Sequence, residues 1–275
     1  FEALKLGIPL RTRHNEVAPG QYECAPTFED VNLAIDHGAL LMDLMQKVAE
    51  RHGYKVLFHE KPFAGINGSG KHNNWSLSTD TGINLLQPTS KPKENLRFLT
   101  FLVNVIKAVH DHADLLRASI ASASNEYRLG AHEAPPSIIS IFLGTGLTKM
   151  LEDLTNRGEV ELEKGENFYY KIGISRIPNL TRDNTDRNRT SPFAFTGNKF
   201  EYRAVGSNAN SASAMIVLNT IVANQLNQFK TDLEARLQAG EDKKMAIVDI
   251  LKQYYRDSKN ILFEGNGYSE EWRIE

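Results

Sequence analysis

The chain has 275 residues, of which 41% are hydrophobic and 24% charged, a composition typical of a globular protein that buries its core without cross-links. Its formal net charge of −2 excludes the broad basic field that attracts nucleic acid or an anionic membrane, and its single cysteine, Cys24, excludes a disulfide framework. Since no apolar run approaches the roughly 18–20 residues that span a bilayer, we expect a cytoplasmic protein without nucleic-acid or membrane partners.

Hydrophobic periodicity predicts the elements in chain order. Apolar residues recur at helical spacing in five segments, residues 29–51, 93–122, 137–157, 208–238 and 242–259. Strands are predicted over residues 54–62, 72–79 and 199–205, with a polar loop over residues 179–198. Because the strands come in hairpin-like pairs rather than strict β-α-β units, the predicted fold class is α+β, with helices on a largely antiparallel sheet.

Two strand-like arms flank Pro19-Gly20 in the stretch RHNEVAPGQYECAP. Pro and Gly suit the central positions of a type II turn, and a hairpin centred there places Glu16 directly opposite Glu23, with Cβ atoms about 5 Å apart. Facing carboxylates are destabilising unless a cation lies between them, which indicates a divalent metal site. The alternative is a longer loop that puts the two glutamates on opposite faces or in solvent.

The stretch GINGSGKHNNWS carries Gly65, Gly70 and Lys71 at the spacing of a phosphate-binding loop. The next position of that motif requires Ser or Thr, and here it is His72. A phosphate loop also needs a helix after it, whereas the residues that follow alternate as in a strand. We therefore interpret the match as accidental, and a strand beginning near Gly70 would exclude a phosphate-loop nucleotidase.

Read as a strand, this stretch presents His72, Asn74 and Ser76 on one face. Asn67 and the glycines of this stretch offer backbone amides and carbonyls that can approach a small polar ligand closely. A histidine next to an apolar residue is more often structural than a ligand, so the functional interpretation of His72 depends on convergence with the glutamates.

Two later segments carry charged side chains in a pattern. Arg128 and Glu133 fall on a loop that Pro135-Pro136 keeps from becoming a helix. Glu201 and Arg203 are two apart on a predicted strand and therefore share a face, which favours a metal carboxylate beside a phosphate-binding cation. The alternative is a surface ion-pair ladder worth less than about 1 kcal/mol.

In this order, the motifs resemble the glutamine synthetase family, and RHNEVAPGQYECAP with KPFAGINGSGKHNNWS resembles its type III branch. The resemblance covers residues 14–205 and implies the curved antiparallel sheet of the family's catalytic domain, over residues 1–275. It also implies ATP-dependent ligation of ammonium to L-glutamate through γ-glutamyl phosphate, in nitrogen assimilation. Two or more Mg²⁺ or Mn²⁺ ions per site are implied, with identical subunits in a double-ring oligomer, expected to be a dodecamer with active sites at subunit interfaces.

Carried over residue by residue, the resemblance implies that Glu16 and Glu23 bind the metal that serves glutamate. His72 and Glu201 then bind the metal that serves the ATP phosphates. Arg203 falls on an arginine that meets the transferring phosphoryl group.

The remaining site residues also follow from the resemblance. Asn67 and Gly68 match the loop that holds the amino-acid end of the substrate, and Arg128 matches the arginine that grips its carboxylate. Glu133 matches the flap glutamate that closes over the site and helps to form the ammonium pocket. Positions on the nucleotide side are matched by Asn74, Ser76 and Lys199.

Some features depart from the family pattern. The family supplies two further metal-binding glutamates from an upstream strand and an aspartate from the neighbouring subunit's N-terminal domain, so we expect this chain to be one domain of a longer protein and inactive alone. Lys199 stands where many relatives have arginine, which keeps the charge but loses the fork geometry. The roles of Arg187 and Arg189 stay open, as do two alternatives: a related ligase for another amine or acid, and a non-catalytic structural relative.

Overall fold

The computed structural model describes residues 1–130, 132–156, 171–174 and 190–274. Its helices are α1 Glu2–Lys5, α2 Val31–Arg51, α3 Pro92–Asp111, α4 Ala113–Ser119, α5 Ala123–Arg128, α6 Thr145–Asn156, α7 Ala212–Gln238, α8 Lys243–Ser258 and α9 Glu270–Ile274, with a 3₁₀ turn at Lys259–Ile261. Its strands are β1 Leu10–Asn15, β2 Tyr22–Pro26, β3 Gly70–Trp75, β4 Ile141–Phe142, β5 Phe193–Phe195 and β6 Phe200–Gly206.

The long helices follow the sequence periodicity closely. Helices α2, α7 and α8 lie within the segments predicted from apolar spacing. The predicted helix over residues 93–122 is divided into α3 and α4, because His112 adopts a non-helical conformation with φ −133° and ψ 32°. The Asp242 side chain accepts hydrogen bonds from the amides of Lys244 and Met245 and so caps the start of α8.

One strand prediction, one helix prediction and one loop prediction were wrong in whole or in part. Residues 54–62 form no strand, because their backbone polar groups bond to neighbouring loops; for example, Ser69 N donates to Glu60 O at 2.8 Å. The segment predicted as one helix over residues 137–157 begins with β4, and Gly144, with φ 85°, separates that strand from α6. The predicted loop over residues 179–198 contains β5 in its described part.

Four strands form one sheet in the order β3-β6-β5-β4. Both pairs that involve β6 are antiparallel, and β4 pairs with β5 in parallel. The hairpin β1-β2 forms a separate two-stranded sheet. The α+β class with a largely antiparallel sheet is therefore confirmed.

The core lies between this sheet and helices α3, α7 and α8. Three consecutive residues of β5 are buried, and the ring of Phe193 stacks on that of Phe200, with centroids 4.4 Å apart. Tyr202 is fully buried, and its hydroxyl donates to Leu116 O at 3.2 Å. These contacts anchor β6, the central strand that carries Glu201.

Helix α2 is amphipathic, yet none of its residues is buried. Much of its apolar side lines an open cleft, while Ile35 also packs against the core. Within the described ranges, no helix combines the length and the apolar character needed to cross a membrane.

We predict that Phe200→Ala lowers the free energy of unfolding by about 3–5 kcal/mol, because it removes a fully buried ring and leaves a cavity beside Phe193. Urea denaturation of the full-length protein measures the change. Phe28→Ala is the matched control, since its side chain is 93% exposed. A cost for Phe200→Ala no larger than that of the control would contradict this description of the core.

Candidate active site

The β1-β2 hairpin turns at Pro19-Gly20, as predicted. Gln21 N donates to Ala18 O at 3.1 Å, and Gly20 has φ 70°, which fits the third position of a type II turn. The predicted register was wrong by two residues, because Glu16 N donates to Gln21 O at 3.0 Å. The loop is therefore longer than the turn alone, and His14, not Glu16, lies opposite Glu23.

This register still brings the two glutamates together. His14 and Glu16 are two apart on one strand arm, so both share a face with Glu23. His14 Nε2 lies 2.7 Å from Glu16 Oε1 and 3.9 Å from Glu23 Oε2. One potential ligand atom from each of the three residues lies within 4.8 Å of the others, which is compact enough for a single metal ion.

The sequence interpretation missed His14. The available signal was its position two residues before Glu16, which places both on one face whenever the arm is a strand. Because the predicted register paired the two glutamates with each other, it left no position opposite Glu23 for a histidine. The correct register adds a nitrogen ligand to the two carboxylates.

The pKa of Glu23 depends on the charged groups that lie near it. Partial burial raises the pKa of Glu23 above its ordinary value, and the hydrogen bond and charge of Glu16 raise it further. His72 and His14 act in the opposite direction. Glu23 therefore interacts with both hairpin partners and with the histidine of β3.

The second pair of predicted ligands lies on adjacent strands of the main sheet. Strand β3 begins at Gly70, which excludes the helix that a phosphate loop requires. A register shift between Lys71 and Asn73 leaves His72 at an irregularity of the β3-β6 ladder. Its Nδ1 lies 3.5 Å from Glu201 Oε1.

The glycine loop, Asn67–Gly70, is hydrogen-bonded to the hairpin and to the loop that carries Glu133. Gln21 Nε2 donates to Gly68 O and to Ser69 Oγ, both at 2.8 Å. Asn67 Nδ2 donates to Glu133 Oε2 at 2.9 Å. Gln21 was not predicted from the sequence, because a polar residue beside a turn gives no sign of a partner 47 residues away.

The loop that carries Glu133 has unusual backbone geometry. His132 has φ 50° and Glu133 has φ 67°, conformations that cost a non-glycine residue of order 1–3 kcal/mol. Gly130 N donates to Pro135 O at 2.9 Å, and the Tyr268 hydroxyl donates to Ala134 O at 2.5 Å. These bonds hold Glu133 at the edge of the cleft.

The two predicted arginines are buried. Arg128 is 4% exposed, and it donates to Asn125 Oδ1 at 3.2 Å, to Val205 O at 3.4 Å and to Arg203 O at 3.0 Å. Burial lowers the pKa of Arg128 to about 10, and Glu60 acts against that effect. Arg203 is fully buried on β6.

An open cleft of about 2770 Å³ lies between the hairpin, α2, β3 and the segment after β6, and most of the predicted site residues line it. Its volume exceeds the roughly 300–1,000 Å³ of a typical small-molecule pocket, so it has room for more than one ligand. Eleven of the predicted site residues line it: Glu16, Glu23, Asn67, Gly68, His72, Asn74, Ser76, Arg128, Glu133, Lys199 and Glu201.

Arg203 does not line the cleft. On the side where the nucleotide was predicted, Ser76 Oγ donates to Asn84 Oδ1 at 2.8 Å and to Asn198 O at 3.2 Å, next to Lys199. The arginines of the polar loop, Arg182, Arg187 and Arg189, lie outside the described residues.

Comparison with known proteins gives two family matches. Residues 2–140 match the family described as "Glutamine synthetase, catalytic domain", and residues 246–275 match "Glutamine synthetase C-terminal domain". Among solved structures, "Apo GmaS without ligand" superposes with a TM-score of 0.52 at 19% sequence identity, covering 98% of this chain and 59% of that chain. That likeness concerns the fold alone.

Curated relatives agree with the family matches. A glutamine synthetase of Bacteroides fragilis is 58% identical over 276 residues, which cover 100% of this chain and 38% of the relative. A type-3 glutamine synthetase of Dictyostelium discoideum is 51% identical, over 98% of this chain and 36% of the relative. The chain spans less than two fifths of the length of either relative, and it belongs to the glutamine synthetase family.

Proposed function

We propose that this chain is the metal- and substrate-binding part of an enzyme that ligates ammonium to L-glutamate, with ATP converted to ADP and phosphate. The observation that carries the proposal is the meeting of Glu16, Glu23, His72 and Glu201 in one cleft whose rim holds the Asn67–Glu133 contact. A non-catalytic relative has no electrostatic reason to hold so many like charges together.

The donor atoms fit divalent cations. The hairpin supplies two carboxylates and one imidazole, and the His72–Glu201 pair supplies one of each. Carboxylate oxygens are the preferred ligands of Mg²⁺ and Mn²⁺, and the neutral imidazole of histidine is a common metal ligand in proteins. Glu16, Glu23 and His14 would hold one ion and His72 with Glu201 another; when bound, the ions would neutralise phosphate charge and polarise the phosphoryl group.

On the glutamate side, the proposed roles fall to the glycine loop and Arg128. Backbone groups of Asn67 and Gly68 can approach the amino acid closely, because glycine leaves space for a ligand against the main chain. Arg128 provides the positive charge that favours the substrate carboxylate. The side-chain carboxylate of the substrate would then lie near Glu16 and Glu23, where it would accept the phosphoryl group from ATP as ADP leaves.

On the nucleotide side, Asn74 and Ser76 contact ATP, and Lys199 offers a compact cation for its phosphates. Arg203 is fully buried on β6, two residues after Glu201, and the low dielectric around it would strengthen the effect of its positive charge on the transferring phosphoryl group. This role of Arg203 stays a prediction.

Glu133 acts in the last of the proposed chemical steps. Ammonium must lose a proton before its nitrogen attacks the acyl phosphate, and a carboxylate at the rim can accept that proton. The loop of Glu133 also excludes water, which would otherwise hydrolyse γ-glutamyl phosphate.

The proposal applies to a full-length protein in the cytoplasm, assembled from identical subunits in a double ring that we expect to be a dodecamer. Residues 1–275 are proposed to form one domain of that protein, with further metal ligands and a neighbouring subunit's aspartate supplied from outside them. The direct test is phosphate release by the full-length protein with glutamate, ammonium and ATP. Release with another amine or acid, and not with this pair, would contradict the proposal.

We predict that the double variant Glu16→Gln, Glu23→Gln weakens Mn²⁺ binding by more than roughly 100-fold, because it removes both carboxylate charges from one ion, whereas loss of an outer-shell partner alone costs roughly 10- to 100-fold. Equilibrium dialysis of the full-length protein measures the affinity. Glu50→Gln, at an exposed position of α2, is the matched control for a lost carboxylate charge. Unchanged Mn²⁺ affinity in the double variant would contradict the hairpin site.

We also predict a pH dependence of metal stabilisation. Because the pKa of Glu23 is raised in the folded protein, protonation of Glu23 competes with the metal, and ionising it costs stability when no metal is present. The rise in Tm on adding Mn²⁺ should therefore be smaller at pH 5 than at pH 8. At pH 8, a free Mn²⁺ concentration of about 100 times Kd should add about 2.7 kcal/mol to the free energy of unfolding. Thermal scans with and without Mn²⁺ measure it; a larger rise at pH 5 would contradict the prediction.

Glu133→Gln tests the proton acceptor. The amide keeps the size of the side chain and its contact with Asn67 but cannot take a proton, so kcat/KM for ammonium should fall by roughly 10²–10⁴-fold while ATP affinity stays unchanged. Steady-state kinetics and nucleotide titration measure the two quantities.

The control for Glu133→Gln is Glu126→Gln, which alters an exposed carboxylate on α5 that pairs with Arg117. Wild-type turnover of the Glu133 variant at every ammonium concentration would show that Glu133 is not the acceptor.

A further inference from the structure

Glu60 lies in the irregular segment between α2 and β3, and no role has been given to it so far. Its side chain is 1% exposed. Its carboxylate Oε1 accepts a hydrogen bond from Asn208 N at 2.9 Å, and its backbone O accepts one from Ser69 N at 2.8 Å. Glu60 thus connects the glycine loop with the segment that follows β6.

The carboxylate of Glu60 lies near one buried and one half-buried cation. It acts electrostatically on both Lys71 and Arg128, and in each case it opposes the effect of burial on the pKa. Lys71 Nζ donates to Ser207 O and to Ala209 O, at 2.5 Å and 2.6 Å. Charged groups are rarely buried unless they are paired, so Glu60 offsets a local excess of positive charge.

Three glycines allow this packing. A Cβ atom at Gly206 would lie 2.3 Å from Glu60 Oε1, and one at Gly68 would lie 2.3 Å from Glu60 O. A Cβ atom at Gly70 would lie 2.0 Å from Arg128 Nη2. Real Cβ atoms essentially never approach so closely, so the glycine loop and the end of β6 fit closely around Glu60 and Arg128.

The second carboxylate oxygen of Glu60 is buried, and no hydrogen-bond donor of the described residues reaches it. A buried carboxylate with one bonded oxygen is expensive unless nearby positive charge stabilises it. Part of the positive charge that stabilises Glu60 is carried by Arg128, the proposed partner of the substrate carboxylate. The ionised form of Glu60 and the position of the Arg128 guanidinium therefore stabilise each other.

We propose that Glu60 is a positioning residue for the glutamate end of the cleft, where its buried charge holds the Arg128 guanidinium and the Asn67–Gly70 loop in place. This inference rests on the proposed function for the identity of the substrate. It assigns no role to Glu60 on the nucleotide side, because Asn74 lies near the end of β3, Ser76 directly follows that strand, and Lys199 lies in the β5-β6 connection.

Glu60→Gln in the full-length protein tests the proposal, because the amide keeps the shape and an oxygen for Asn208 N but loses the charge. We expect the KM for glutamate to rise roughly 10- to 100-fold, as for the loss of one charge-assisted contact, with less than about a threefold change in the KM for ATP. Glu264→Gln is the matched control, a partly buried carboxylate bonded to Thr148 outside the cleft. An unchanged KM for glutamate, or equal changes for both substrates, would overturn the proposal.

Hydrogen exchange gives a readout that does not require activity. In Glu60→Gln, amides of residues 67–70 and 206–209 should exchange several-fold faster than in the wild type, because the charge no longer holds the two segments together. Unchanged exchange in both segments would overturn the proposal. If the wild type made no glutamine, the proposed function would fail, and the exchange rates would still decide the role of Glu60.

Discussion

Antiparallel pairing of β3 with β6 is the constraint on which the cleft depends. This ladder places His72 beside Glu201 and puts Gly70 opposite Gly206. Because β6 is the strand buried by the aromatic stack of Phe193 and Phe200, the core fixes the position of the proposed metal ligands. The proposed site is therefore carried by a strand that the core holds in place, as precise chemistry requires.

Charged side chains of both signs concentrate around the cleft. Glu16 and Glu23 lie beside His14, and Glu201 lies beside His72. Arg128 and Lys71 also line the cleft, are buried and half-buried, and both experience the charge of buried Glu60. Groups of both signs suit the proposed site, which would hold metal ions and anionic substrates together.

Local signals predicted much of this arrangement, and long-range contacts account for what they missed. Pro19-Gly20 fixed the turn, and apolar periodicity gave α2, α7 and α8, because both depend on near neighbours in the chain. The hairpin register was wrong, because it depends on one bond between Glu16 N and Gln21 O. Short β4 and β5 were missed since only their pairing across the sheet defines them, and Glu60 was missed because its partners lie in the folded structure.

The central claim is that two groups of side chains in one cleft bind divalent cations, and anomalous diffraction from Mn²⁺-soaked crystals of the full-length protein tests it most directly. The account predicts one anomalous peak bonded to Glu16 and Glu23 and another bonded to His72 and Glu201. Peaks confined to other positions, with these four side chains free of metal, would contradict it.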